Sequence, residues 1–284
     1  MPLDLQTAAA PPSKPPASES TPSGARPAEA SASDSTASKG LSLAERGKTA
    51  DGELQTLDRR LFVQLLAYTG CTDPMPLAEA AEAAGVGGAV YQGVQDPRGV
   101  AVVTFHEDPA FFAEDGRALH LSAPFASLTP LPALTMLGRT YSIGYEQDLI
   151  GALVAKPVKT IANPAWPWAV WYPLRRSGRF EREPREEQRR MLMEHGGIGR
   201  AFGRGDYAHD VRLACHGLDP NDNDFVAGLV GKDLHPLSAV VQKMRATRQT
   251  AEFIDRLGPF FVGRAVWQSA GPFTWALDHQ GSGH

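Results

Sequence analysis

Residues 183–224 read EPREEQRRMLMEHGGIGRAFGRGDYAHDVRLACHGLDPNDND, and this stretch decides how the second half of the chain folds. Its first part predicts a helix, because Pro184 suits a first turn, Glu186 and Glu187 suit a positive N-terminus, and glycines at 203 and 205 end the segment. At helical spacing one stripe is mostly apolar, and its members are Gln188, Met191, Leu192, His195, Ile198 and Phe202. The single histidine of that stripe therefore lies on an inward face.

Three nearby glycines, at positions 196, 197 and 199, clear side chains from around His195. A histidine that a flat molecule can approach closely is a candidate axial ligand for heme iron. The alternative is a histidine that simply packs in the core, and a lone histidine on an apolar stripe is more often of that kind. Composition and periodicity alone leave both interpretations open.

The strand predicted after this helix, residues 208–216, has two unlike faces. Because side chains alternate along a strand, one face is apolar, with Val211, Leu213 and Cys215, and the other carries Asp210, Arg212, Ala214 and His216. The polar face either looks into solvent, as in an ordinary half-buried strand, or lines a cavity under the helix. In the second case Asp210 and Arg212 are candidates for the distal side of a bound heme.

The bulk composition excludes several classes of function. The chain has 284 residues, a net charge of −4 and no basic block, so broad nucleic-acid binding is not expected. Two cysteines are too few for a disulfide framework or a thiolate metal site. The N-terminus lacks the apolar core of a signal peptide, and no run reaches the length of a membrane span. We therefore expect a cytoplasmic protein.

Composition and periodicity also predict the layout of the chain. Residues 1–50 are rich in Ala, Pro and Ser and predict a disordered tail. Residues 57–155 and 168–268 each follow the order β-α-β-β-α-β, so the predicted fold class is α+β, with two tandem ferredoxin-like halves. The stretch Lys156–Pro167 is predicted to be a linker, Thr135–Glu146 a strand, Pro236–Leu257 a helix, and residues 269–284 a loose tail.

Several cations and one tyrosine could serve a heme site. Guanidinium and ammonium groups pair with carboxylates, so porphyrin propionates are natural partners for Lys156, Lys159, Arg175, Arg176 and Arg245. Each of these cations also reads as an ordinary surface charge. Tyr172 is either a redox-active phenol or a packed aromatic residue with a hydrogen-bonded hydroxyl.

Five blocks in fixed order resemble the chlorite dismutase-like family, which includes coproheme decarboxylases: WYPL (171–174), MEHGGIGR (193–200), GLD (217–219), KMR (243–245) and LGPFFVG (257–263). In layout the resemblance covers roughly residues 57–268. It implies an α+β barrel that usually assembles into a homopentamer. It also implies that His195 is the proximal ligand of heme b or coproheme and that Tyr172 is the tyrosine oxidised during decarboxylation. Arg176 and Arg245 match positions that contact propionates.

Departures from the family pattern bear on the reaction. Members of the family place a distal residue on the strand before the Gly-Leu-Asp block, and counting back from Gly217 puts Asp210 at that position. Arg212 follows on the same face of the strand and would attract an anion such as chlorite. Chlorite-cleaving members carry an acid that hydrogen-bonds the axial histidine, and the strand from Phe225 to Val230 offers none. A Trp-Tyr pair expected before the helix is replaced by Gly178, Arg179 and Phe180. Both departures argue against a dedicated chlorite dismutase.

Three functional hypotheses follow. The leading one is a peroxide-using enzyme that decarboxylates coproheme to heme b. The second is chlorite dismutation or heme peroxidation, with Arg212 as the distal cation. The third is a heme carrier or sensor, or a barrel that holds no heme.

Overall fold

The computed structural model describes residues 41–271 and residue 273. Residues 1–40 of the predicted N-terminal tail, and most of the predicted C-terminal tail, lie outside this range. The boundary predicted at residue 50 is wrong, because β1 (Glu45–Lys48) pairs antiparallel with β2 (Leu54–Leu57). This hairpin buries little apolar surface and is held by polar contacts, so composition does not reveal it: the Gln55 amide donates to the carbonyls of Glu146 and Gln147, both at 2.9 Å.

The first half of the described chain has the predicted alternation of strands and helices. Its elements are β3 (Phe62–Thr69), α1 (Met75–Ala83), β4 (Gly88–Gly93), β5 (Val100–His106), α2 (Ala110–Ala113), α3 (Asp115–Leu121), β6 (Thr129–Pro130) and β7 (Met136–Thr140), with 3₁₀ turns at Phe125–Ser127 and Pro132–Leu134. The main strands lie in the order β7-β3-β5-β4. The strand predicted to reach Glu146 ends at Thr140, because the Glu146 carboxylate accepts from the backbone N–H groups of Ile143 and Tyr145 and folds this segment into a loop.

The second half repeats the scheme. Its elements are a π-helical turn (Gly151–Ala155), α4 (Lys156–Ile161), β8 (Trp168–Arg176), a 3₁₀ turn (Phe180–Arg182), α5 (Arg185–Arg204), β9 (His209–Ala214), β10 (Phe225–Gly231), α6 (Leu234–Arg245), α7 (Arg248–Phe253), β11 (Ile254–Leu257) and β12 (Phe261–Gln268). The strands lie in the order β12-β8-β10-β9, and β11 pairs with the end of β8.

The two sheets join at both ends into a closed barrel. β4 pairs with β12, β7 pairs with β9, and every pairing around the ring is antiparallel. The order within each half is that of a ferredoxin-like unit. The predicted fold class, two ferredoxin-like halves forming an α+β barrel, is confirmed.

Alternating side chains divide the strands between an interior core and two outer layers. The barrel interior is filled by large buried residues, among them Tyr91, Phe105 and Trp171. On the outside, α1 and α3 cover the first half through Leu77 and Leu119. On the second half, α6 and α5 pack against β8 and β10 and bury Val170, Tyr172, Leu229, Leu237 and Val240. The candidate site lies in this second outer layer.

The predicted linker Lys156–Pro167 is partly helical. Pro157 lies in the first turn of α4, where the missing N–H is not needed, so proline does not break this helix. Ile161 is fully buried in the barrel core and anchors the helix. Prolines 164 and 167 follow its end and lead into β8.

The single helix predicted over Pro236–Leu257 is wrong. It divides into α6 and α7 at Thr247, whose extended backbone (φ −71°, ψ 150°) interrupts the helix and whose side chain caps α7. The last four residues form β11 instead, paired with β8. Ile254 and Leu257 are spaced for a helix face, but β-branched Ile254 begins a strand.

The predicted loose C-terminal segment begins too early at residue 269. Ser269 is buried and exchanges hydrogen bonds with Gly88, since the Gly88 N–H donates to its Oγ at 2.9 Å. The Phe273 ring packs edge-on against Phe105 with a centroid distance of 5.2 Å. Among the described helices, none is long and apolar enough to cross a membrane.

Candidate functional site

The candidate site is built on α5 and the outer face of the strands beneath it. α5 begins after Pro184, carries Glu186 and Glu187 in its first turn, and ends at Gly205. Ile198 and Phe202 pack into the outer layer with Val170 and Leu229. The C-terminal part of the predicted inward stripe therefore faces the sheet, whereas Met191 and Leu192 pack with Phe180 and Phe253.

His195 is half-buried in this layer, and Thr247 is its hydrogen-bond partner. Its Nδ1 lies 3.3 Å from Thr247 Oγ1. Burial lowers the pKa of His195, the Arg212 guanidinium lowers it further, and the carboxylates of Glu194 and Asp210 oppose the shift. The imidazole is therefore neutral at physiological pH, which is the form that ligates a metal.

The glycines beside His195 border flexible side chains only. A Cβ at Gly196 would lie 3.3 Å from Arg200 Nη1, and one at Gly199 would lie 3.5 Å from Met244 Cε. Both contacts are with the far ends of long side chains, which can move. An added Cβ at either position would therefore meet only atoms that can move, not backbone.

The polar face of β9 points toward α5, not into the barrel. In the β9–β10 register Asp210 lies opposite Leu229 and Arg212 opposite Ala227. Ala227 in turn lies opposite Tyr172 on β8. Directly paired residues share a face, so Asp210, Arg212 and Tyr172 line one surface. The side chains of Arg212 and Asp210 are 43% and 37% exposed, so this outer face lies partly beneath α5 and partly in solvent.

The charges on this face form a nearly balanced cluster. Asp210 Oδ1 accepts from Lys156 Nζ at 3.0 Å, and Oδ2 lies 3.2 Å from Arg212 Nε. Arg212 also lies 3.9 Å from the Glu146 carboxylate. Burial pushes the pKa of Asp210 upward, but Lys156 and Arg212 outweigh it and the pKa is lowered. Asp210 is therefore ionised, and two cations face two carboxylates.

Tyr172 is a buried, neutral phenol in the same layer. Its side chain is 5% exposed and stacks on Phe260 with a centroid distance of 4.6 Å. Burial raises the pKa of Tyr172 to about 12, while Arg245 lowers it and Asp210 raises it. The Asp210 carboxylate thus acts on both Tyr172 and His195, which places the two groups in one electrostatic environment.

The predicted propionate cations differ in their surroundings. The Arg176 guanidinium lies between the rings of Phe180 and Phe225, at 4.2 and 5.0 Å, and its Nη2 donates to Glu181 at 2.7 Å. Arg245 is exposed at the end of α6.

The other predicted cations are not gathered in the same way. Arg175 pairs with Asp222 at 2.5 Å. Lys159 is exposed on α4, and among the described residues no hydrogen bond or ion pair links it to the rest of the site. Within that part of the chain, no three His, Cys, Asp or Glu side chains are grouped to hold a metal ion.

Sequence reasoning missed Thr247 and Glu146 as parts of the site. Thr247 carried a weak signal, because threonine is one of the residues preferred at a helix N-cap, but the Glu or Gln that strengthens this signal three residues later is absent and Thr250 stands there. Glu146 carried none, since it lies in a loop far from Arg212 along the sequence.

Two ferredoxin-like halves closed into a barrel, with a histidine-bearing helix on its outer face, define a chlorite dismutase-like fold. Residues 144–266 match the sequence model of the family described as Chlorite dismutase, so the resemblance found in the sequence is confirmed.

Solved structures support the same fold. A heme-binding protein from Thermus thermophilus is 18% identical with a TM-score of 0.55, covering 73% of this chain and 93% of that one. Chlorite dismutase from Candidatus Nitrospira defluvii, in complex with imidazole, is 13% identical with a TM-score of 0.55, covering 73% and 92%. No curated protein matches the chain in sequence.

Proposed function

We propose that the chain binds heme b or coproheme between α5 and the outer face of β8, β9 and β10, with His195 as the iron ligand. The observation that carries this proposal is the neutral imidazole of His195 beside glycines whose faces meet only mobile side chains. An apolar wall that includes Leu229 suits the face of a porphyrin. A bound iron porphyrin would supply the redox chemistry with peroxide that protein side chains lack.

The specific reaction that we propose is decarboxylation of coproheme to heme b. Each propionate and one hydrogen peroxide, with one proton, would give a vinyl group, carbon dioxide and two waters. The propionate loses two electrons, and peroxide accepts them. Tyr172 would relay an electron, because its phenol is neutral, buried and stacked on Phe260. Arg245 and Arg176 would position the carboxylate, and Arg176 would exchange Glu181 for it.

Charge favours this reaction over chlorite dismutation. Arg212 faces Asp210 at 3.2 Å and Glu146 at 3.9 Å, so two carboxylates neutralise the cation that would attract chlorite. The partner of the axial histidine is a hydroxyl, whereas a carboxylate would make the imidazole a stronger donor. Oxygen release from chlorite, abolished in Arg212→Ala, would favour chlorite dismutation instead.

One titration tests the cofactor, and one incubation tests the reaction. Heme b and coproheme are added side by side to the purified protein, and the Soret band should form and be absent in His195→Ala. Peroxide is then added to the coproheme complex, and mass spectrometry should show loss of two carboxyl groups. If the band forms but only the four-carboxylate species persists, the chain is a carrier or sensor. If neither porphyrin binds, the proposal fails.

The role of Tyr172 has a matched test. Tyr172→Phe should retain coproheme binding and lose at least about 100-fold in decarboxylation rate, an effect of the size that removal of a catalytic group commonly has. Tyr91→Phe is the control, because Tyr91 is fully buried inside the barrel, away from this face. Equal turnover in the two variants would remove Tyr172 from the mechanism.

We also propose that the protein is cytoplasmic and assembles as a homo-oligomer, with a pentamer as the expected size. Both parts rest on the family resemblance and on the composition. Light scattering after size-exclusion chromatography tests the assembly, and a monomeric mass would contradict it. Cell fractionation tests the location.

A further inference from the structure

Thr247 occupies a buried corner where three elements of the candidate site meet. It lies between α6 and α7, its side chain is 2% exposed, and its Oγ1 lies 3.3 Å from Nδ1 of His195 on α5. The same oxygen donates to the Met244 carbonyl at 2.7 Å and accepts from the Thr250 N–H at 3.5 Å. This one hydroxyl therefore contacts groups on α5, α6 and α7.

The proton inventory of this hydroxyl fixes its role toward His195. A threonine hydroxyl has one proton and two lone pairs. Its shortest contact is with the Met244 carbonyl, which can only accept, whereas the neighbouring Thr250 Oγ1 is farther away at 3.3 Å. Because the proton is directed to Met244, Thr247 can only accept from His195. The proton of the neutral imidazole then lies on Nδ1, and the lone pair lies on Nε2.

Ion pairs hold this corner against α5. Arg248 follows Thr247, and its guanidinium lies 2.9 Å from Glu187 in the first turn of α5 and 3.9 Å from Glu183 just before that helix. Its backbone N–H donates to the carboxylate of Glu194, the residue before His195, at 3.3 Å. The position of the Thr247 hydroxyl relative to the imidazole is therefore set by contacts on both sides of it.

We infer that Thr247 is a positioning residue that holds His195 in the Nδ1–H tautomer and keeps Nε2 free for iron. This inference rests on the proposed function, since a free Nε2 matters only if a metal binds there. Groups that orient a ligand histidine typically change metal affinity about 10–100-fold when they are removed. A neutral hydroxyl lies at the weak end of that range, so Thr247→Val should bind heme about 10-fold more weakly.

The deciding measurement uses the protein without porphyrin. In ¹⁵N-histidine-labelled full-length chain at about pH 8, above the ordinary histidine pKa, the ¹⁵N spectrum should show His195 protonated on Nδ1. Its signals are assigned by their loss in His195→Ala. A wild-type His195 protonated on Nε2 overturns the inference, and this result does not depend on heme binding or on whether any Thr247 variant folds.

Three variants separate positioning from a purely structural role. Thr247→Val should lose the Nδ1–H preference, and its ferrous heme complex should show a lower iron–histidine stretching frequency in resonance Raman spectra. Thr247→Ser should restore both readouts. Thr250→Val removes the neighbouring hydroxyl and should change neither. If Thr247→Val keeps the wild-type tautomer and frequency, Thr247 only caps α7.

Discussion

Replacing Asp210 by asparagine should convert the balanced charge cluster on β9 into an anion-binding site. The carboxylate contacts Lys156 at 3.0 Å and Arg212 at 3.2 Å, and Glu146 supplies the second negative charge. Asp210→Asn keeps the shape of the side chain and one of its two acceptor oxygens, and it leaves a net charge of about +1 on the cluster. Small anions should then bind more tightly to the heme-loaded protein.

The size of the effect follows from these distances. An anion on the far side of either cation lies about 6 Å from the charge that is removed, roughly twice the ion-pair distance. With an effective dielectric constant of about 40, the repulsion lost is about 1.4 kcal/mol, which is about tenfold in affinity. At about 0.15 M salt the screening length is about 8 Å, so the gain in the free energy of anion binding should fall by about half.

Azide affinity, measured from the Soret shift at low and at physiological ionic strength, tests this expectation. Arg212→Gln should weaken azide binding, because it removes a cation from the same cluster. Asp222→Asn is the matched control, because Asp222 lies on an exposed loop and pairs with Arg175, which is not part of this cluster. In the porphyrin-free protein, Asp210→Asn should lower the pKa of His195 and Arg212→Gln should raise it. Equal azide affinity in wild type and Asp210→Asn at low salt would refute the reasoning.

Three further outcomes are expected. Because burial lowers the pKa of His195 below its ordinary value of about 6.5, heme affinity should weaken only at pH values below about 6.5, and weakening already near pH 7 in a spectrophotometric titration would contradict this. Burial lowers the pKa of His120 to about 4, so the stability that its neutral form contributes is complete above about pH 6.5 and is lost as the pH falls toward 4. At about pH 5, urea unfolding should show that wild type has lost about 2 kcal/mol more of its unfolding free energy than His120→Gln has. Parallel plots of unfolding free energy against pH for the two proteins would contradict this. A Cβ at Gly228 would lie 2.6 Å from the buried Trp171 ring, so Gly228→Ala should destabilise the fold by about 1–3 kcal/mol while Gly178→Ala, in open space, should not.

The sequence was most informative where apolar periodicity was strong and unbroken. The helix α5 and the strand β9 were predicted nearly to their ends, because each buries one face and its pattern records that face, whereas the strand predicted over Thr135–Glu146 ends at Thr140. β11 was not predictable in this way: Ile254 and Leu257 fit a helix face, and pairing with β8 decides against it. The hairpin of β1 and β2 was missed because polar contacts with a distant loop hold it.

The candidate site was predictable only in part for a related reason. His195 and the two-faced strand β9 are visible in local patterns, and the structure places them on one surface. Which way that strand faced depended on its partners, which the local sequence does not contain. Glu146 and Thr247 act on Arg212 and His195 across long stretches of chain, and only the fold brings them together.

In the closed barrel, the two edge strands of each half pair with the edge strands of the other half. Separated from its partner, either half would present two rows of unpaired backbone groups, which invite aggregation. The first half must therefore keep strands that pair with the second half, and many sequences that alternate apolar and polar residues can form such strands. On the function that we propose, the half that bears α5 must also keep particular side chains in place. We expect the two halves to diverge at unequal rates for this reason, with slower change in the second half, which holds most of the family match over residues 144–266.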